Sequence, residues 1–225
     1  MENENTQGNI LKGYSMLLFF AGSMIMHEPT EECVVDFWKN GILNRLPVKS
    51  ANPNFMKAAA QLRESCTDKK ICRKLLHDDF IRLFGRADLP LAPAYESLYA
   101  DAVLNSVSRT TGVSEFYKSY GWESKFKGRI NDDHLGIELL FLTLLVEKYL
   151  DLDDSACRRE MRNEIRRYIS THILSWIPEW NGKVQDNASS MCYRGIATLI
   201  VACSEDIYSF MELPETSINE KDLRN

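Results

Sequence analysis

Apolar residues recur along this chain with the 3.6-residue period of helices, and no useful length shows the strict alternation of a strand. Caps and breakers cut the pattern into segments. Asn9 to His27 reads as a first helix closed by Pro29, and Thr30 to Arg45 as a second with Glu31 and Glu32 in its first turn. Asn52-Pro53 places a cap and an N1 proline ahead of a helix running to Cys66. Thr67 or Asp68 caps the next, which carries Ile71, Leu75, Leu76, Phe80, Leu83 and Phe84 and ends near Gly85. Gly85 to Pro93 (GRADLPLAP) has two prolines and no period, and is a loop. Helical signal returns over Ala94–Val107 and Val113–Tyr120, and a polar, basic connection runs from Trp122 to Ile130.

Asn131, Asp132 and Asp133 then offer N-caps to a helix that is apolar on nearly every face from Leu135 to Leu150, the mark of burial on all sides. Asp151, Asp153 and Asp154 open another helix, whose stripe is Met161, Ile165, Tyr168, Ile169, His172 and Ile173. Ile177-Pro178 breaks it, and Ser189 to Met211 is the last helix before a charged tail beyond Pro214. The prediction is an all-α fold: a single globular helical domain over residues 1–225, with about nine to eleven helices. Its N-terminal half spans 9–84, a hinge loop 85–93, and the C-terminal half 94–211.

Composition narrows the class only mildly. With 44% hydrophobic and 26% charged residues the chain is an ordinary globular one, and its net charge of −5 argues against a general nucleic-acid binder while permitting a cationic partner. Six scattered cysteines with no CxxC read as reduced thiols of a cytoplasmic protein. Cys66, Cys72 and His77 match no familiar zinc spacing, so no metal or cofactor is predicted. Met16 to Met26 is too short to span a bilayer and follows Glu2 and Glu4 rather than a basic segment, so it reads as a buried helix.

The candidate chemistry sits at the start of the apolar helix. His134 and Glu138 lie four apart on one face, with Gly136 between them at a cost of about 1 kcal/mol against alanine. A glycine there clears a side chain where another backbone or a ligand approaches. Asp133, His134 and Glu138 would be the acid–base cluster of a small helical enzyme, the alternative reading. No phosphate loop, GxSxG, HExxH or dinucleotide fingerprint accompanies them, and capping or binding outweighs catalysis. Arg158, Arg159, Arg162, Arg166 and Arg167 share a face, but Glu160 and Glu164 interleave them, so the face reads as solvated.

Two stretches carry a resemblance. Asp79 to Tyr99, DFIRLFGRADLPLAPAYESLY, and Asp132 to Leu142, DDHLGIELLFL, in this order and separation resemble the signature regions of the TorD/DmsD/NarJ family of redox-enzyme maturation chaperones. Leu174 to Val184, LSWIPEWNGKV, resembles that family's Trp-x-Pro segment. The resemblance implies an all-helical cytoplasmic protein that is not an enzyme and holds no cofactor. Its partner would be the leader peptide, often a twin-arginine signal peptide, and the apo form of a molybdopterin-dependent oxidoreductase. It also implies weak guanine-nucleotide binding and a monomer or domain-swapped dimer, with no nucleic acid and no integral membrane segment. Residue by residue, Phe80, Leu83 and Phe84 would wall the peptide site, Tyr95 would line it from the loop, and Asp133, His134 and Glu138 match the family's binding motif. Asn131 stands where the family often has proline, and Ala94 where some members carry a second one.

Overall fold

The computed structural model describes residues 2–30, 32, 46–65, 69–85, 89–99 and 106–212. Among them are eight α-helices: α1 (Glu2–Met26), α2 (Pro53–Glu64), α3 (Lys69–Leu83), α4 (Ser106–Ser119), α5 (Leu135–Leu150), α6 (Ser155–Tyr168), α7 (Ile177–Asn187) and α8 (Met191–Glu212). A 3-10 turn at Glu96–Leu98 and a π turn at Ile169–Ile173 complete the order, and the described residues hold no strand. The all-α prediction holds, with fewer helices among the described residues than were foreseen for the whole chain. The helix expected from Thr30 to Arg45 and the tail beyond Pro214 fall outside the described residues.

Most boundaries follow the local chemistry. The Asn52 side chain accepts the Asn54 N–H at 2.8 Å ahead of Pro53, and Asp154 accepts the Cys157 N–H at 2.8 Å to start α6. Where a helix was expected over Ala94–Val107, the chain makes only the three-residue 3-10 turn before residue 100. Tyr95 is held extended (φ −125°, ψ 125°) by a bridge to His134, which α-helical dihedrals would break.

The long helices pack through small residues. A Cβ on Gly22 would lie 3.6 Å from the Gly136 Cα, and one on Gly8 would lie 3.7 Å from Leu150 Cδ2. These pairs fix α1 and α5 as antiparallel neighbours, in a register that sets Ser15 opposite Thr143. Gly8, Ser15 and Gly22 thus recur at heptad spacing against Gly136, Thr143 and Leu150. Gly136 has almost no room: a Cβ would run into Met26 Cγ and lie 3.1 Å from the Gly22 carbonyl oxygen. Of the two readings of that glycine, the close approach of another backbone is the one the structure shows.

Eleven residues of α5 are buried, as its all-round apolar pattern requires. The centre is shared with α8, which buries fourteen and packs against α1, α2, α6 and α7. A single buried apolar cluster runs from Leu11 to Met211. At about 1.5–3 kcal/mol for each fully buried aliphatic or aromatic side chain, this cluster is the main source of stability. The window Gln7–Met26 of α1 is long and apolar enough to cross a bilayer, and 50% of it is buried inside this fold.

Two sequence readings change. The arginine face of α6 is not simply solvated: Arg162 is buried and donates to the carbonyl oxygens of Met211 (3.1 Å) and Phe210 (3.4 Å), closing the end of α8. Arg166 donates to the Tyr208 hydroxyl and Glu212, and Arg167 lies over the Phe116 ring. The cysteines are not all thiols either, since Cys72 is disulfide-bonded.

Candidate functional site

The two signature stretches meet through residues 91–97. Leu91 N–H donates to the Arg82 carbonyl and Ala92 N–H to the Leu83 carbonyl, both at 3.0 Å, fastening this connector to the end of α3. The Trp180 indole N–H donates to the Ala92 carbonyl at 3.1 Å, which gives the Trp-x-Pro segment its place. Leu135 N–H then donates to the Ala94 carbonyl (2.8 Å) and Glu96 N–H to the Asp133 carbonyl (2.9 Å), forming the antiparallel bridge of Tyr95 with His134.

That bridge decides how α5 begins. The N-cap is His134, not Asn131, Asp132 or Asp133: its Nδ1 accepts the Gly136 N–H at 3.0 Å. Asp133 turns inward, 1% exposed, and Oδ2 accepts the Ser97 N–H at 3.3 Å. An accepting Nδ1 must be unprotonated, so the ring is the neutral Nε2–H tautomer. Burial first, and then the nearby His27, lower its pKa to about 4. The Tyr95 ring meets it edge-on, centroids 4.9 Å apart. A histidine with one nitrogen capping a helix and so low a pKa is poorly suited as a general base near neutrality.

Below the bridge lies an acidic cluster. Glu138 is fully buried, and its carboxyl lies against the Glu96 carboxyl and the Trp176 indole. The Trp176 indole N–H donates to the His172 carbonyl at 2.7 Å. Burial foremost, then the charges of Glu96 and Asp133, push the Glu138 pKa well above the usual carboxylate range. Glu96, 1% exposed, pairs its Oε2 with His172 Nδ1 at 3.2 Å. The imidazole–carboxylate pair of this region is therefore Glu96–His172. Sequence reasoning missed it, although a lone histidine in an apolar stripe was a signal. The π turn brings the ring round, and such turns recur at functional sites.

The apolar members lie at the other end of the connector. Phe84 stacks on Trp180 (6.2 Å, 30°) and meets Tyr193 and Phe80 edge-on at 5.3 and 6.0 Å. Phe80 and Phe84 are half-buried and Leu83 is wholly buried, so Leu83 packs in the core at the junction of α3 with the connector. The structure thus joins Tyr95, Asp133, His134 and Glu138 in one group and Phe80, Leu83 and Phe84 in another, linked by residues 91–95. Four of the seven exposed large apolar side chains among the described residues are neighbours in sequence of these residues: Leu89 (85%), Leu98 (59%), Ile81 (44%) and Leu91 (42%). Periodicity could not single them out, because in sequence they look like core. Among the described residues no group of three or more His, Cys, Asp or Glu side chains is arranged to hold a metal.

The model of the nitrate reductase delta subunit family matches residues 49–181, more than half of the chain and inclusive of both signature stretches. This chain belongs to that family. Chaperone protein TorD of Vibrio cholerae serotype O1 is 27% identical to it over 135 residues, 60% of this chain and 61% of that protein. The same-named proteins of the Classical Ogawa and El Tor Inaba strains are 26% and 27% identical, over 60% and 55% of this chain and 61% and 56% of theirs. The chain therefore spans about three fifths of the length of the relatives it matches. The resemblance to TorD-like chaperones read from residues 79–99 and 132–142 holds.

Proposed function

We propose that this protein is a cytoplasmic, non-enzymatic chaperone for the maturation of a redox enzyme. It binds the leader of a molybdopterin-dependent oxidoreductase, of the twin-arginine kind, before that enzyme is exported. The family supports the coarse reading. The observation that carries the finer one is the set of exposed apolar side chains, Ile81 near the end of α3 and Leu89, Leu91 and Leu98 along the segment that bridges to Asp133 and His134. Exposed leucines clustered on one connector mark a surface that another chain covers. A leader offers an apolar stretch for such a surface.

In this reading Phe80, Phe84 and Tyr95 support the surface from below. Leu83 fixes the connector to α3, while Asp133, His134 and Glu138 set its other end. The site residues act mainly by shaping the connector. The test is capture of partners from the anaerobically grown native host, identified by mass spectrometry, with wild type and a Leu89→Asp/Leu91→Asp variant. One large molybdopterin oxidoreductase retained by wild type and lost by the variant is the expected result. No such partner with wild type, under conditions that express the reductases, would overturn the reading.

A further inference from the structure

A second surface lies on the α1/α5 seam, away from the connector. A groove of about 710 Å³ runs between the two helices, bordered by Met16, Phe19 and Leu150 on its apolar side and by Lys12, Glu147 and Asp151 at one end. Ser15 and Thr143 also line it, where the seam register pairs two small residues. Met16 is 65% and Phe19 57% exposed, so two large apolar side chains face solvent in the middle of a long helix. Ser15 Oγ is buried there with no hydrogen-bond partner.

The shape and charge select an occupant. The groove runs between the antiparallel axes of α1 and α5, and its α5 wall from Thr143 to Asp151 is about 12 Å long at 1.5 Å per residue, two turns of a third helix. Small residues beneath bulky rims let apolar side chains spaced three and four apart enter, as in helix-into-groove recognition. The far end is acidic. Glu147 and Asp151 make no ion pair among the described residues, and they stand at the C-terminus of α5, the negative end of its dipole. Lys12 is the single cation of the wall. We infer that this groove docks an amphipathic helix of a client polypeptide, apolar on the face it inserts and basic at the end that reaches Glu147 and Asp151. It is a second contact, separate from the leader surface at residues 81–98.

The probe is a fluorescein-labelled synthetic 18-residue amphipathic helix of Leu, Ala, Lys and Arg, titrated by anisotropy. Its counterpart carries Glu in place of the basic residues. Met16→Ser/Phe19→Asp changes only exposed side chains, with circular dichroism confirming the fold, and is expected to weaken binding at least tenfold. Glu147→Lys/Asp151→Lys does the same, the acidic peptide does not bind, and Leu89→Asp/Leu91→Asp leaves the affinity unchanged. Absence of binding to wild type, unchanged affinity in the groove variants, or loss in the Leu89/Leu91 variant would overturn the inference. So would equal binding of the acidic peptide. A wild-type dimer dissociated by Phe19→Asp, with unaltered peptide affinity, would assign the face to a second copy instead. Leader capture by the Met16/Phe19 variant keeps the proposed function standing whether or not this groove does.

Discussion

Asp79 reaches across 111 positions of sequence to accept the Ser190 N–H at 2.7 Å. Its other oxygen accepts the Ser189 N–H at 3.1 Å and pairs with Arg82. A fully buried carboxylate on α3 thus caps α8, and Arg82 closes the arrangement by donating to the Asn187 carbonyl and the Ser189 hydroxyl. Asp79→Ala leaves two N–H groups at the α8 start without this acceptor, at about 2–3 kcal/mol. For a chain of this size that lowers Tm by about 4–12 °C. Asp79→Asn, which keeps an acceptor, is expected to lose less than half of that. Equal losses in thermal melts of the two variants would contradict the capping role.

The His134 cap makes stability pH-dependent. Its folded pKa of about 4 lies below the ordinary 6.5, so between those values the unfolded chain takes up a proton that the native chain refuses. The contribution is full above pH 6.5 and is lost as pH falls towards 4. It amounts to on the order of 3 kcal/mol. His134→Asn supplies a cap that does not titrate. Urea unfolding at pH 7 and pH 4.5 is expected to show a smaller acid loss in this variant than in wild type, and equal losses would contradict the assignment.

Glu138 has the opposite sign. Its folded pKa is raised, so the native chain holds a proton that the unfolded chain releases as pH climbs above about 4.5, and stability falls through that window. Glu138→Gln is the same size and never ionises. It is expected to be more stable than wild type at pH 8, by on the order of 1–2 kcal/mol, and no more stable at pH 4. A loss at pH 8 would mean that the carboxylate is ionised and paired.

At Gly136, intrinsic helix propensity and packing make opposing predictions. Alanine gains about 1 kcal/mol of propensity. It also drives a methyl against Met26 and the Gly22 carbonyl, an overpacking that costs about 1–3 kcal/mol. Gly136→Ala is expected to be destabilising, and Met26→Ala in the same chain to relieve it. Stabilisation by the single substitution would show that α1 and α5 are not tightly seamed.

Helices with their own caps were legible: Asn52-Pro53 and Asp154 announce α2 and α6, and the all-round apolar run of α5 announces its burial. What failed depended on partners far away in sequence. The bridge to His134 holds Tyr95 extended, so no local propensity could forecast that Ala94–Val107 would begin with a 3-10 turn. The same bridge turns Asp133 inward and leaves the cap to His134. Glu96 and His172, 76 positions apart, come together only through the connector and the π turn. The acid, apolar and glycine positions of the signature stretches were readable, but which of them face solvent was not.

The central claim is that the connector surface binds a leader, and direct titration tests it. A synthetic leader peptide with paired arginines followed by an apolar stretch would be titrated by calorimetry into wild type and Leu89→Asp/Leu91→Asp. These leucines are exposed, so the fold should survive the change. The account predicts saturable binding to wild type and at least tenfold weaker binding to the variant. Equal affinities, or no binding to wild type, would contradict it.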